Sequence, residues 1–201
     1  LARPFTRAGL FGPHTHHFAI PESSSRFSVG SRADARTQTG LRGDPCVLWV
    51  GHLNPGKDPL SVLDGVSLAA RQLPDLQLWC AFGSAPLLGE VQARIARDPQ
   101  LAQRVHLLGT VAHAQVEGLM RAADLFVSGS RAESCGYAVL EALACGVTPV
   151  VTDIPSFRAL LGGSGVGHLW PCGDAAQLAQ ALVAAAASRP SPAQVRAHFD
   201  A

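Results

Sequence analysis

Residues 124–152 read DLFVSGSRAESCGYAVLEALACGVTPVVT and predict a strand, a loop, a helix and a second strand. The runs DLFVS (124–128) and TPVVT (148–152) are short and apolar, whereas the stretch 137–145 between them has helical character. A helix that joins two such strands is typical of a parallel pair with a right-handed crossover. The stretch therefore predicts a parallel α/β fold.

The same alternation of strands and helices continues on both sides of this unit. Further strands are predicted at 46–50, 76–82, 105–108 and 166–170, and further helices at 59–73, 87–97, 114–122, 155–161, 175–187 and 192–199. Because the strand runs are continuously apolar, we expect strands that are buried on both faces. The pattern indicates a doubly wound, Rossmann-like parallel sheet, which binds ligands beyond the carboxyl ends of its strands.

Residues 1–45 do not share this alternation. They are rich in proline, serine, arginine and glycine, so we expect a linker and an irregular lead-in. The stretch PHTHHF (13–18) concentrates three histidines, but no cysteine or carboxylate stands at ligand spacing. A solvated loop is therefore favoured over a metal site. The chain lacks an initiator Met, and we expect a piece of a longer protein.

The composition argues against several classes of function. A net charge of +1 gives no electrostatic case for a nucleic acid or an acidic membrane surface. No apolar run approaches the roughly 18 residues that cross a bilayer. The five cysteines are widely spaced without a C-x-x-C pair, so we expect small buried side chains in a reducing compartment. Cys135 stands apart from the others only by its position between two glutamates.

A nicotinamide, flavin or Walker-type site is not supported. The glycine-rich stretch GGSGVGH (162–168) has the wrong spacing and precedes a strand instead of opening a helix. The loop after the first strand, GHLNPGK (51–57), places His52 and Lys57 at the carboxyl end of the sheet. Lys57 is the one lysine beside fifteen arginines. Its ammonium could bind a phosphate, although a surface lysine beside a Pro-Gly turn is the alternative.

Two of the five glutamates, Glu133 and Glu141, bracket one glycine turn. Gly136 allows a close backbone approach, and a helix that starts at about Tyr137 offers free N–H groups to an anion. Glu141 lies more than a turn inside that helix, where a carboxylate can accept two hydrogen bonds from a diol such as ribose. The order acceptor, anion site, acceptor suits a sugar–diphosphate–ribose ligand. A helix with an acidic flank and one solvated glutamate remains an equal alternative.

The sequence resembles the C-terminal half of the family-four glycosyltransferases, retaining enzymes with two Rossmann-like domains in the GT-B architecture. Their motif E-G-F-G-x-x-x-x-E-A-M-A-x-G-x-P-V-V corresponds to ESCGYAVLEALACGVTPVV (133–151), and V-G-R-x-x-x-x-K-G corresponds to VGHLNPGKD (50–58). Two further blocks, LGTV (108–111) and ADLFVS (123–128), also match. The resemblance implies that 1–18 is a linker or the remnant of an N-terminal domain. It also implies that 19–201 is a nucleotide-sugar-binding domain with a truncated last helix.

The resemblance implies a role for each residue of the glycine turn. Glu141 would bind the ribose hydroxyls of a nucleotide sugar. Glu133 would contact hydroxyls of the donor hexose as a catalytic residue. Backbone N–H groups around Gly136 and Tyr137 would help to hold the sugar and the diphosphate. We expect no metal or other cofactor, because cations and amides stabilise the leaving group in such enzymes.

The diphosphate and the base have their own expected contacts. Lys57 would neutralise the leaving diphosphate, and the base would lie near Gly83, Gly109 and Val111. The family has an arginine where this chain has His52. Either the imidazole is protonated beside the diphosphate, or Lys57 and the helix end carry more of the charge compensation.

The expected function is transfer of a hexose from a nucleoside diphosphate sugar with retention of configuration, in bacterial glycan biosynthesis. Ser134 and Cys135 replace the family's Gly and Phe, so the sugar pocket is expected to differ in shape. The acceptor, which is a glycan, a lipid or a small molecule, would bind through a missing N-terminal domain, so the fragment alone should turn over poorly. A sugar-nucleotide epimerase and a non-catalytic binding module are the alternatives. We expect a cytoplasmic protein, and peripheral attachment to the inner membrane face stays open.

Overall fold

A computed structural model describes residues 3–12, 14–16 and 24–201 of the chain. Helix α1 (Arg3–Arg7) lies in the first of these ranges. Of the predicted histidine cluster, His14 and His16 are exposed, whereas His17 lies outside the described residues. Among the residues described, no group of three or more His, Cys, Asp or Glu side chains is arranged to hold a metal ion.

In the described part of the chain, strands of one parallel sheet follow the order β3-β2-β1-β4-β5-β6. The strands are β1 (Cys46–Gly51), β2 (Gln77–Phe82), β3 (Val105–Gly109), β4 (Leu125–Ser128), β5 (Thr148–Thr152) and β6 (His168–Trp170). The chain builds the sheet outward from β1 through β2 to β3 and then returns to place β4 on the other side of β1. This change of direction opens a crevice beyond the carboxyl ends of β1 and β4. The predicted doubly wound, Rossmann-like sheet is confirmed.

Helices cover both faces of this sheet and create two apolar cores. They are α2 (Arg32–Thr39), α3 (Pro59–Ala69), α4 (Leu88–Ala96), α5 (Pro99–Ala102), α6 (His113–Ala122), α7 (Tyr137–Ala144), α8 (Pro155–Leu161), α9 (Ala175–Ala187) and α10 (Pro192–Asp200). Successive strand residues enter opposite cores: Leu48 packs in one and Val47 in the other, both fully buried. Covering both faces explains why the strand sequences are apolar without alternation.

The irregular lead-in predicted for residues up to 45 was wrong at helix α2. Ser31 caps this helix by accepting a hydrogen bond from the Asp34 N–H, and Gly40 ends it in a left-handed conformation with φ 74°. Ala35 is the buried residue of the helix. With so narrow an apolar face, the sequence RADARTQT shows no helical hydrophobic period. The short helix α5 was also missed, since four residues are too few to display one.

Besides the buried Ala35, charged contacts attach α2 to the sheet. Asp124, which is 5% exposed, pairs with Arg32 at 3.1 Å and with Arg36 at 2.7 Å, both from α2. Arg189, which follows α9, reaches the same carboxylate at 3.2 Å. The carboxylate also accepts a 2.8 Å hydrogen bond from the Cys46 N–H. One buried aspartate therefore joins the lead-in, the end of α9 and the start of β1.

We predict that Asp124→Ala lowers the free energy of unfolding by about 3 kcal/mol, because it leaves three arginines without their shared buried partner. Urea unfolding followed by circular dichroism measures this loss. Asp200→Ala is the control: its carboxylate is exposed and pairs with Arg196 on the same helix, so its unfolding midpoint should stay close to that of the wild type. Equal midpoints for both variants would contradict the structural role of Asp124.

The cysteines differ in reactivity. Cys135 is buried, and burial raises the pKa of the Cys46, Cys80 and Cys145 thiols to about 12, whereas Cys172 is exposed, contrary to the expectation of buried cysteines. We predict that iodoacetamide at pH 8 modifies Cys172 in the native protein and reaches those three thiols only after unfolding, as read by peptide mass mapping.

The same three thiols predict an alkaline limit of stability. Their folded pKa lies above the ordinary value of 9.0, so their contribution is fully present below pH 9. It is lost as the pH rises towards about 12, and the urea midpoint should fall over this range. Rapid labelling of Cys46 or Cys80 by iodoacetamide in the native protein at pH 8 would contradict the raised pKa of these buried thiols.

Candidate functional site

A cavity of about 430 Å³ opens at the carboxyl ends of β1 and β4, at the reversal in strand order. Six of the residues predicted from the sequence line it: His52, Lys57, Glu133, Gly136, Tyr137 and Glu141. The β1 loop supplies the first two, and the β4 loop with helix α7 supplies the others. The fold thus brings together residues that are far apart in the chain.

Close backbone contacts hold the β1 and β4 loops against each other. A Cβ on Gly129 would lie 2.9 Å from the Asp58 carbonyl oxygen and 3.0 Å from that of Lys57, so only glycine fits there. Next to it, the Arg131 N–H donates a 2.9 Å hydrogen bond to the Gly56 carbonyl. These contacts bring Lys57 across to the β4 loop.

Asp58 adopts a backbone conformation that favours glycine, with φ 46°. The glycosyltransferase motif has glycine at this position, so this chain accepts backbone strain of about 1 kcal/mol. The buried carboxylate offsets it by accepting hydrogen bonds from the Ser61 N–H at 3.3 Å and from Arg131 Nη2 at 2.7 Å. The first of these caps helix α3, and the second ties the two loops together through side chains.

Lys57 and Glu133, both predicted from the sequence, form an ion pair between Nζ and Oε1. The Ser130 hydroxyl donates to the same carboxylate oxygen at 2.8 Å. The side chains of the pair are 28% and 18% exposed, so water screens the pair only partly. A cation and a hydroxyl-accepting carboxylate are therefore fixed side by side at the cavity wall.

The N-terminus of helix α7 faces the same cavity without a side-chain cap. Gly136 precedes the helix with φ 81°, and a Cβ there would lie 2.8 Å from the Phe157 ring. Ser31 and Asp174, in contrast, cap α2 and α9 through side-chain oxygens. The Val139 N–H donates to the Gly136 carbonyl at 2.9 Å, so the first two N–H groups of α7, those of Tyr137 and Ala138, are the ones that can bind an anion in the cavity.

Glu141 does not face solvent alone. Its Oε1 lies 2.8 Å from His113 Nε2, and the imidazole is 76% exposed. His113 begins helix α6 at the carboxyl end of β3 and was not among the residues predicted from the sequence. The rule that loops after strands carry the ligand contacts pointed to this region, but nothing local to residue 113 indicated a partner 28 positions away.

The structure bears on the two alternatives for His52. The Ser84 N–H donates a 3.2 Å hydrogen bond to Nδ1 of this ring. Gly83 leaves room for the ring, since a Cβ there would lie 3.3 Å from two of its atoms. Lys57 and the α7 N-terminus can compensate a negative charge in this cavity without a change of protonation.

A second cavity of about 160 Å³ lies beyond β2 and β3. Gly83 and Val111, predicted near the base, both line it, together with His113. Gly109 lines neither cavity; its φ of 72° turns the chain at the end of β3. Cys135 is buried and also lies outside both cavity linings.

Residues 44–188 match the family described as Glycosyl transferases group 1. The chain belongs to this family. It is 33% identical over 140 residues to the phosphatidyl-myo-inositol mannosyltransferase of Mycobacterium leprae, an alignment that covers 69% of this chain and 36% of that protein. The chain therefore spans about a third of the length of this relative.

Two solved structures share the fold. The C-terminal domain of the group 1 glycosyl transferase LpcC from Francisella tularensis aligns over 86% of this chain and 89% of its own, with a TM-score of 0.70 at 17% identity. The pneumococcal O-GlcNAc transferase GtfA, solved with UDP and GlcNAc, aligns over 98% of this chain and 40% of its own, with a TM-score of 0.76 at 18% identity. These likenesses concern the fold and confirm the C-terminal half of a GT-B architecture.

Across the described residues of this glycosyl transferases group 1 chain, no helix is long and apolar enough to span a bilayer.

The turn that starts α7 yields a test of the site's construction. We predict that Gly136→Ala destabilises the chain by about 1–3 kcal/mol, because its φ is positive and the new Cβ would meet Phe157. Gly89→Ala is the matched control in α4: nothing lies within 4 Å of its Cβ position, so alanine should stabilise the helix slightly. Urea unfolding of both variants gives the comparison, and a neutral Gly136→Ala would contradict the geometry.

Proposed function

We propose that this chain is the donor-binding domain of a glycosyltransferase that transfers a hexose from a nucleoside diphosphate sugar. The supporting observation is the lining of one cavity by the Lys57–Glu133 pair, the uncapped α7 N-terminus and Glu141. Glu133 can accept hydrogen bonds from hexose hydroxyls, the α7 N-terminus and Lys57 can bind the diphosphate, and Glu141 can accept hydrogen bonds from the ribose. A nucleoside diphosphate sugar presents its groups in the same order. Family membership is consistent with this activity.

Breaking the glycosidic bond leaves negative charge on the departing phosphate oxygen. Groups already aimed at that oxygen stabilise the transition state without reorganisation. In the proposed donor complex, the Lys57 ammonium and the first N–H groups of α7 fill this role. Glu133 binds hexose hydroxyls beside them, and we propose no metal for this step. Retention of configuration is proposed from the resemblance of the paired-glutamate motif to that of retaining enzymes.

The two cavities accommodate the donor in parts. A volume of about 430 Å³ is within the range of small-molecule sites, and the neighbouring space of about 160 Å³ is open to a base beside Gly83 and Val111. The M. leprae relative is a mannosyltransferase and GtfA was solved with UDP and GlcNAc, so mannose and N-acetylglucosamine are the first sugars to assay. The acceptor would bind in a further domain of the whole protein.

We predict that one of UDP, GDP and ADP binds this chain in calorimetric titration, and that Glu141→Ala weakens this binding roughly 10- to 100-fold. The reason is the loss of charge-assisted hydrogen bonds to the ribose. Glu90→Ala is the matched control, because Glu90 is an exposed helical glutamate on α4 and does not line either cavity. Its affinity should equal that of the wild type.

A folded chain that binds none of the three diphosphates would contradict the proposal that this domain alone holds the donor. Equal losses in Glu141→Ala and Glu90→Ala would contradict the assigned cavity. In the whole protein, release of the free nucleoside diphosphate in the absence of any acceptor substrate would favour the epimerase alternative. Loss of retention in the glycoside product, read from its anomeric NMR signal, would contradict the proposed stereochemistry.

A further inference from the structure

The His113 side chain lies at the junction of the two cavities. It lines both of them, together with Val50 and Gly51 at the end of β1. Under the proposed function, the base would occupy one cavity and the diphosphate the other, so the ribose has to pass this junction. A side chain at this junction can act on the ribose site without contacting the base or the diphosphate.

Two contacts fix the imidazole although most of its surface is exposed. Nε2 lies 2.8 Å from Glu141 Oε1, and because a carboxylate only accepts, Nε2 carries the hydrogen. On another side, the ring packs against that of Phe27, with centroids 5.3 Å apart and an angle of 34° between the planes. Phe27 is 9% exposed and belongs to an apolar core, which gives this contact a rigid support.

The backbone also restricts where His113 can go. It is the first residue of α6, and the preceding residue, Ala112, is extended, so the Cα position is set by the helix start. Helix α6 packs against the core through Val116 and Met120. The imidazole therefore approaches Glu141 from a rigid element, and Glu141 in turn stands on helix α7.

We propose that His113 is a positioning residue for Glu141, the carboxylate that would bind the ribose. Its Nε2–H holds this carboxylate through Oε1 and leaves Oε2 to accept a hydrogen bond from a ribose hydroxyl. This inference rests on the proposed function and adds to it. A histidine that donates to a ligating carboxylate fixes its rotamer before the ligand arrives, which reduces the conformational entropy lost on binding. The pairing then favours ribonucleotides over nucleotides without ribose hydroxyls.

The test is calorimetric titration of the wild-type chain and its variants with the nucleoside diphosphate that binds, with the 2′,3′-dideoxy analogue of that diphosphate, and with inorganic pyrophosphate. The variants are His113→Ala, His113→Gln, Glu141→Ala and the His113→Ala/Glu141→Ala double variant. His16→Ala is the matched control, since His16 is an exposed histidine of the N-terminal segment. Circular dichroism checks that each variant is folded.

We expect His113→Ala to weaken binding of the ribonucleoside diphosphate about tenfold and to leave binding of the dideoxy analogue and of pyrophosphate unchanged. His113→Gln should restore much of the loss, because its amide can donate to the carboxylate. The double variant should bind no more weakly than Glu141→Ala alone, since both residues act through one contact.

Three results would overturn this inference. The first is unchanged binding by His113→Ala when Glu141→Ala is impaired. The second is a loss in the double variant equal to the sum of the single losses, which would make His113 an independent ligand contact. The third is an equal loss for the dideoxy analogue. If the wild type binds no nucleoside diphosphate, the proposed function fails and this inference fails with it.

Discussion

The site depends on the pairing of two strands that come from opposite halves of the fold. β1 and β4 are hydrogen-bonded neighbours, with Val47 opposite Leu125 and Leu48 opposite Phe126. Their loops therefore start side by side at the reversal of the sheet, and Gly129 lets them touch through the backbone. Because helices cover both faces of the sheet, polar side chains can gather only beyond the strand ends. This pairing brings Lys57 to Glu133 across 76 positions of sequence.

The inner strands β1, β2, β4 and β5 were predictable because one constraint acts on all of them, whereas the edge strands β3 and β6 are only partly buried. Burial on both faces demands continuous apolar runs, and the six predicted runs match the strands to within one or two residues. Helix α2 was missed since arginines around Asp124, not an apolar stripe, attach it to the sheet. A prediction based on hydrophobic period does not detect a helix that is held by charge.

The candidate site was predictable only where its residues are neighbours in the sequence. Glu133, the glycine turn and Glu141 lie close together in the sequence. Their order matches the order of the hydroxyl, phosphate and ribose groups in a nucleotide sugar. The partners of these glutamates, Ser130 and His113, become visible only when loops are packed, since no spacing rule relates 113 to 141. Cys135 also stands inside the motif, and its side chain is buried outside both cavity linings.

Under the proposed function, the cavity holds a diphosphate without a surplus of cations. Besides the imidazoles of His52 and His113, the charged side chains that line it are Lys57, Glu133 and Glu141, and Arg131 is already paired with Asp58. Long-range attraction for an anion is therefore weak, and under the proposed function short-range contacts from Lys57 and the α7 N-terminus supply the binding. Under the proposed function, Lys57 exchanges Glu133 for a phosphate oxygen, and this exchange frees Glu133 to accept from a hexose hydroxyl. In this proposal, one ion pair couples binding of the sugar to binding of the diphosphate.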